Sequence, residues 1–183
     1  MQYWSSYRLK NQDNGVAAIE FALVLPVMLL TLIGVFDVNN LIYCNNKINR
    51  TAQQISNIVT RGNLTQPQLD SILSQVPPRI AQPFDFVQFG NVIVTAVSKP
   101  SASLPAQVVW QDSYPGGVGG SKINPASLPG GLVLNTKQTV IFTEVFFAYQ
   151  PLIANYVISA NTNLYAVAAS VPRQGTMATL PSS

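Results

Sequence analysis

Glu20 is the one charged residue in the apolar run Val16–Phe36, VAAIEFALVLPVMLLTLIGVF, and a glycine, Gly15, stands immediately before that run. A carboxylate there can neutralise a cation brought beside it, or it can snorkel to the headgroups near the end of a span. At the centre of a membrane helix a charge costs about 2.5–3.5 kcal/mol, and less near an end. Other chemistry is scarce. The chain has no histidine, which removes the commonest general base near neutral pH, imidazole zinc ligands, and Ser-His or Cys-His nucleophile pairs. Cys44, the single cysteine, cannot close an intrachain disulfide; it either packs as a small buried apolar side chain or pairs with another chain. Glu144 stands in VIFTEVFFAY on the face of Phe146 and Ala148, in a half-buried strand at a sheet edge or interface. It reads as a partly solvated acid near Lys137 or Arg173, or else as a partner-facing one. The string GGVGGSK lacks phosphate-loop spacing, with no strand running into it and no helix after it. No catalytic residues, metal, cofactor or small-molecule substrate are expected, and the scattered Asp, Glu, Ser and Lys do not suggest an enzyme.

The elements that place these residues follow from the hydropathy pattern. The run of 21 apolar positions gives about 30 Å of helix, the thickness of a bilayer core. It is longer than the roughly 7–15 residues of a signal-peptide core, so it reads as a retained span. Beyond Asp37, VNNLIYCNNKINRTAQQISNIVTRGN places Leu41, Ile48, Ile55, Ile58 and Val59 near helical or heptad spacing, with no proline before Gly62. One helix from Val16 to about Arg61 is expected, half in lipid and half a projecting stalk, with Gly62 as its C-cap. Pro26 removes a backbone donor, so a kink near Leu23–Pro26 is expected, either a bend absorbed by neighbours or a weak point that melts during assembly. Arg8 and Lys10 on one side match Lys47 and Arg50 on the other, so flanking charge does not orient the span. A short leader before a much larger domain favours placing the domain outside.

The formal charge of +3 comes with ten Lys and Arg scattered singly along the chain, without the basic stripe that displaces counterions from nucleic acid. Nucleic acid is not an expected partner. Only 9% of residues are charged, so the surface is polar but weakly ionic.

Gly15 followed by VAAIEF, with Glu fifth and an aromatic sixth after the glycine and then an apolar run, resembles a class III, type IV prepilin-like signal. The fuller string GVAAIEFALVLPVMLLTLIGVFDVNNLIY resembles the TadE-like family of pseudopilins or minor pilins of tight-adherence (Tad, Flp) pili. That resemblance covers about 45 N-terminal residues, and EVFFAYQPL and SVPRQG also resemble the end of longer TadE-like proteins. It implies that a prepilin peptidase of the bacterial inner membrane cuts after Gly15 and leaves Val16 as the new N-terminus. The new amine would lie at the lipid boundary, about 6 Å along the axis from Glu20. Glu20 could then neutralise its own amine or that of an adjacent subunit and set the stagger between packed helices. The bland alternative is an acid snorkelling at a helix N-terminus. Phe21 stands where major pilins of this system carry Tyr, and major Flp pilins are very short, so the resemblance is to a minor component.

After Gly62, Thr65 with Gln68 forms a capping-box pattern and Leu64 with Leu69 a hydrophobic staple, predicting a short helix to about Val76 that Pro77-Pro78 stops. Four strands are expected in FDFVQFGNVIVTAVS, AQVVW, VLNTKQTVIFTEVFFAYQ and NLYAVAASV. The segment from Tyr114 to Gly131 reads as a long loop, with Gly116, Gly117, Gly119 and Gly120 as a possible partner-contact site. The fold class is therefore α+β: a long transmembrane and stalk helix, then a small antiparallel sheet domain with a short helix. Its expected divisions are a cytoplasmic leader over 1–15, the span and stalk over 16–62, and a periplasmic or extracellular domain over 63–183.

The first functional reading is a minor pilin or pseudopilin that initiates, primes or caps a Tad-type pilus used in adherence. Its partners would be the prepilin peptidase, other Tad pilins or pseudopilins, the inner-membrane assembly platform and the lipid bilayer. The protein would cross the inner membrane once, with its C-terminal domain in the periplasm, and could be incorporated into the pilus. The second reading is an uncleaved bitopic scaffold of the assembly machinery.

Overall fold

The computed structural model describes residues 5–62, 64–114, 120–151 and 162–173, with side chains described from Gly15 onward. Helix α1 spans Ser5–Val59 and continues through Pro26. Its two halves meet different surroundings. From Gly15 to Leu32 every described side chain is exposed, whereas Asp37, Cys44, Ile48, Thr51, Ala52, Ile55, Ser56 and Val59 are buried. Their spacing by three, four and seven lays one stripe along the helix. The expected stalk is thus the helix that backs the sheet, contributing Cys44, Ile48, Ala52, Ile55 and Val59 to the main core.

Strands β1 (Gly90–Lys99), β2 (Gln107–Tyr114), β3 (Gln138–Tyr149) and β4 (Thr162–Ser170) form one antiparallel sheet in the order β2-β1-β3-β4. The four expected strands are all present, with two trimmed. Phe86–Phe89 forms a short helix, α3, because Asp85 caps it by accepting from the Gln88 N–H at 3.1 Å. Strand β1 therefore begins at Gly90, where an added Cβ would fall 2.6 Å from the Phe86 ring. Residues 133–137 lie before β3 rather than in it.

Helix α2 spans Gln66–Ala81 and passes through Pro77-Pro78 instead of stopping at Val76. Its start is as expected, with the Thr65 N–H donating to Gln68 Oε1 at 3.0 Å and Leu64 packed on the core. Its end lies beyond the expected stop because tertiary burial outweighs the missing proline donors. Leu69, Leu73, Pro77 and Ala81 are all buried, and this every-fourth-residue stripe holds the last turn in helical geometry.

Both faces of the central strands β1 and β3 are covered. Val92, Val94, Ala96, Ile141, Val145 and Phe147 belong to the main core, together with α1 and α2. On the other face, Val97, Val140 and Phe142 pack under Leu128 and Leu134 from the segment between β2 and β3. Part of what reads as a loop in the sequence is therefore a strap over the outer face of the sheet. Its 3₁₀ turn at Pro129–Gly131 needs positive φ at Gly130 (72°) and Gly131 (68°), backbone positions suited to glycine.

Candidate functional site

Two sets of residues carry polar chemistry, one on the bare half of α1 and one under the strap. Gly15, Val16, Glu20 and Phe21 lie on continuous helix and all are exposed, with Val16 at 56% and Phe21 at 62%. No atom approaches within 4 Å of a Cβ built on Gly15. The exposed surface continues through Leu23, Val24, Val27, Met28, Leu30 and Leu32. Apolar side chains around the whole circumference of this half make it suited to lipid or other helices. Within it the Thr31 hydroxyl donates to the Val27 carbonyl at 2.8 Å, which leaves that polar group satisfied without a partner chain.

Asp37 closes this segment in a way the sequence does not show. It is fully buried, and among the described residues neither carboxylate oxygen has a hydrogen-bond partner. The buried Tyr149 hydroxyl also lacks a partner among them. Burial, then the Asp37 charge, then Cys44, push the Tyr149 phenol above its ordinary value. Cys44 is a buried free thiol, raised by burial to about 12, so the packing reading of this cysteine holds within the single chain.

Glu144 departs from expectation. It is fully buried on the central strand β3, paired between β1 and β4, and not at an edge. Its Oε2 accepts from the Ser121 hydroxyl at 2.5 Å, and its Oε1 accepts from the Lys122 N–H at 2.8 Å and the Tyr165 hydroxyl at 2.9 Å. Neither Lys137 nor Arg173 is its neighbour. Lys137 precedes the first residue of β3, six positions from Gln138 to Glu144 being about 20 Å of strand. The nearby ammonium is that of Lys122, with Nζ 4.5 Å from the Tyr165 ring centroid and 5.5 Å from that of Phe146. The network ties the strap to two strands. Its sequence signal was Ser121-Lys122 at the end of the glycine run, but which acid would meet them depends on strand order.

Gly120 is exposed at the start of the described strap, while Gly116, Gly117 and Gly119 lie outside the described residues. Among the described residues no group of three or more Cys, Asp or Glu could hold a metal ion.

The fold and the bare segment together define a class: an α+β domain built on the far half of a helix whose near half is long and apolar enough to cross a membrane. Residues 15–56 match the family model of TadE-like proteins, so the segment from Gly15 to Ser56 is similar to that family. The match begins at Gly15 and ends inside the half of α1 that backs the sheet. No curated protein and no solved structure matches the chain.

Proposed function

We propose that this chain is a minor pilin or pseudopilin that takes part in initiating, priming or capping a Tad-type pilus. The observation that carries this reading is the TadE-like match starting at Gly15, on a helix whose first half is bare and apolar. A prepilin peptidase cuts behind Gly15 and frees the Val16 amine at the lipid boundary. Glu20, one turn further along, neutralises that amine or a neighbour's, and Phe21 packs beside it. Before cleavage this partner does not exist. The bare helix is held by the inner membrane and then by other pilins, while the sheet domain lies in the periplasm. The exposed Gly120 end of the strap belongs to a partner-contact loop that includes Gly116, Gly117 and Gly119.

The uncleaved scaffold is the competing reading, and it is favoured by one observation: α1 runs unbroken from Ser5 through Gly15 into the span. Intact mass of the protein made with and without the processing peptidase separates the two. A mature chain beginning at Val16 supports the pilin reading; one that keeps Met1 in the presence of active peptidase supports the scaffold.

A further inference from the structure

The ten cations are scattered in the sequence, but the fold collects four of them at one end. Lys99 ends β1, and its carbonyl accepts from the Lys137 N–H at 2.7 Å. Arg173 follows β4, and its N–H donates to the Thr60 carbonyl at 2.9 Å, one residue before Arg61. These contacts put Arg61, Lys99, Lys137 and Arg173 around the same end of the sheet. No acid among the described residues shares it. Glu144 and Asp112 pair with Ile93 and Val94 in mid-sheet, Asp70 shares Gln66 with Asp112, and Asp37 and Asp85 lie toward the opposite end.

A groove of about 470 Å³ opens at this end, walled by Lys99, Leu104, Leu128, Leu132, Val133 and Leu134. Its rim is apolar and bare, with Val133 81% exposed, Leu104 52% and Leu132 40%. Apolar side chains share the groove wall with Ser103 and Lys99, and Lys137 is bonded through its backbone to Lys99, a mixed lining suited to recognition. Lipid is a poor occupant, because the groove lies near the Thr60 end of α1, about 35 Å of helix beyond Asp37. A polyanion would use the Lys99 and Lys137 charges and leave Leu132 and Val133 in water.

We propose that this groove binds an extended segment of a protein partner, with apolar side chains entering between Leu104 and Val133 and flanking carboxylates meeting the Lys99 end. The inference goes beyond the pilin reading and does not depend on cleavage at Gly15. Charge complementarity selects the segment and the apolar walls provide affinity.

The test uses the full chain in detergent micelles and fluorescein-labelled synthetic peptides that carry a Leu-Val pair flanked by Asp and Glu, with Lys-flanked and Ser-Ser versions as controls. Fluorescence anisotropy should show binding of the acidic apolar peptide only, weakening as salt rises. Val133→Ser, and separately Lys99→Gln with Lys137→Gln, should each lower affinity about tenfold, corresponding to roughly 1.4 kcal/mol. Val133 and Lys137 are exposed and Lys99 is half-buried, and unchanged circular dichroism and melting would exclude misfolding. Failure of every acidic apolar peptide overturns the proposal. So does binding that ignores Val133→Ser, or dextran sulfate binding at this end where the peptides do not bind.

Discussion

The Tyr165 hydroxyl donates to Glu144 Oε1 at 2.9 Å and so joins edge strand β4 to a fully buried carboxylate on β3. Ser121 and the Lys122 N–H complete the set of donors, so one acid fixes both a strand and the strap. Removing it leaves three donors without their acceptor in a part-buried site, where an unpaired donor costs up to about 1–3 kcal/mol. Glu144→Ala is expected to destabilise the domain by about 3 kcal/mol or more, with Tyr165→Phe losing about 1–2 kcal/mol, in urea unfolding followed by circular dichroism. Equal stability of Glu144→Ala and the parent protein would show that the strap is not held this way.

Cys44 should behave as packing. Its thiol is buried and raised to about 12, so the reactive thiolate is scarce at neutral pH. Labelling with a thiol-disulfide reagent at pH 8 is expected to be slow in the folded protein and fast in denaturant. Rapid labelling of the native chain, or a disulfide-linked dimer on non-reducing gels, would support the intermolecular role.

Stability should fall in alkali. Burial raises Cys44 from 9.0 to about 12. Burial also raises Tyr165, with further contributions from its bond to Glu144 and that acid's charge, and it raises Tyr149. Each group holds its proton more tightly when folded than when unfolded. Between the two values the unfolded state binds fewer protons, so the contribution is intact below pH 9 and is lost as pH rises toward about 12. Cys44→Ala should lessen the loss between pH 9 and 10 in melting curves.

Asp37 sits buried with both carboxylate oxygens unpartnered among the described residues, an arrangement that costs stability. Asp37→Leu is therefore expected to stabilise the chain by about 1–3 kcal/mol, read as a higher unfolding midpoint in micelles. A lower midpoint would mean that the carboxylate is satisfied in solution.

If the chain is the proposed pilin, Glu20→Ala should still be cut behind Gly15, because the exposed helix around the glycine is unchanged, yet reduce piliation counted by electron microscopy. Normal piliation in that variant would remove Glu20 from subunit register.

Residues whose surroundings are set by neighbours in the chain were legible in advance. The apolar half of α1 was legible because its apolar positions are contiguous, and the start of α2 because Thr65 and Gln68 are three apart. Four strands were also visible in runs of β-branched and aromatic residues. The end of α2 was not, since burial of Pro77 and Ala81 depends on what lies opposite them. Nor was α3, where Asp85 turns an aromatic run into a helical turn.

The sequence by itself determined the bare half of α1, with Gly15 and Glu20 at its start, because a bilayer or a neighbouring helix reads a single segment and needs no fold to present it. Tertiary structure alone decided that the other half of α1 is the core helix of the sheet. It likewise decided that Glu144 lies beneath a strap and that four dispersed cations share one end. Each of these is a meeting of residues far apart in the chain, fixed by strand order and by which faces are covered, and no local pattern encodes it.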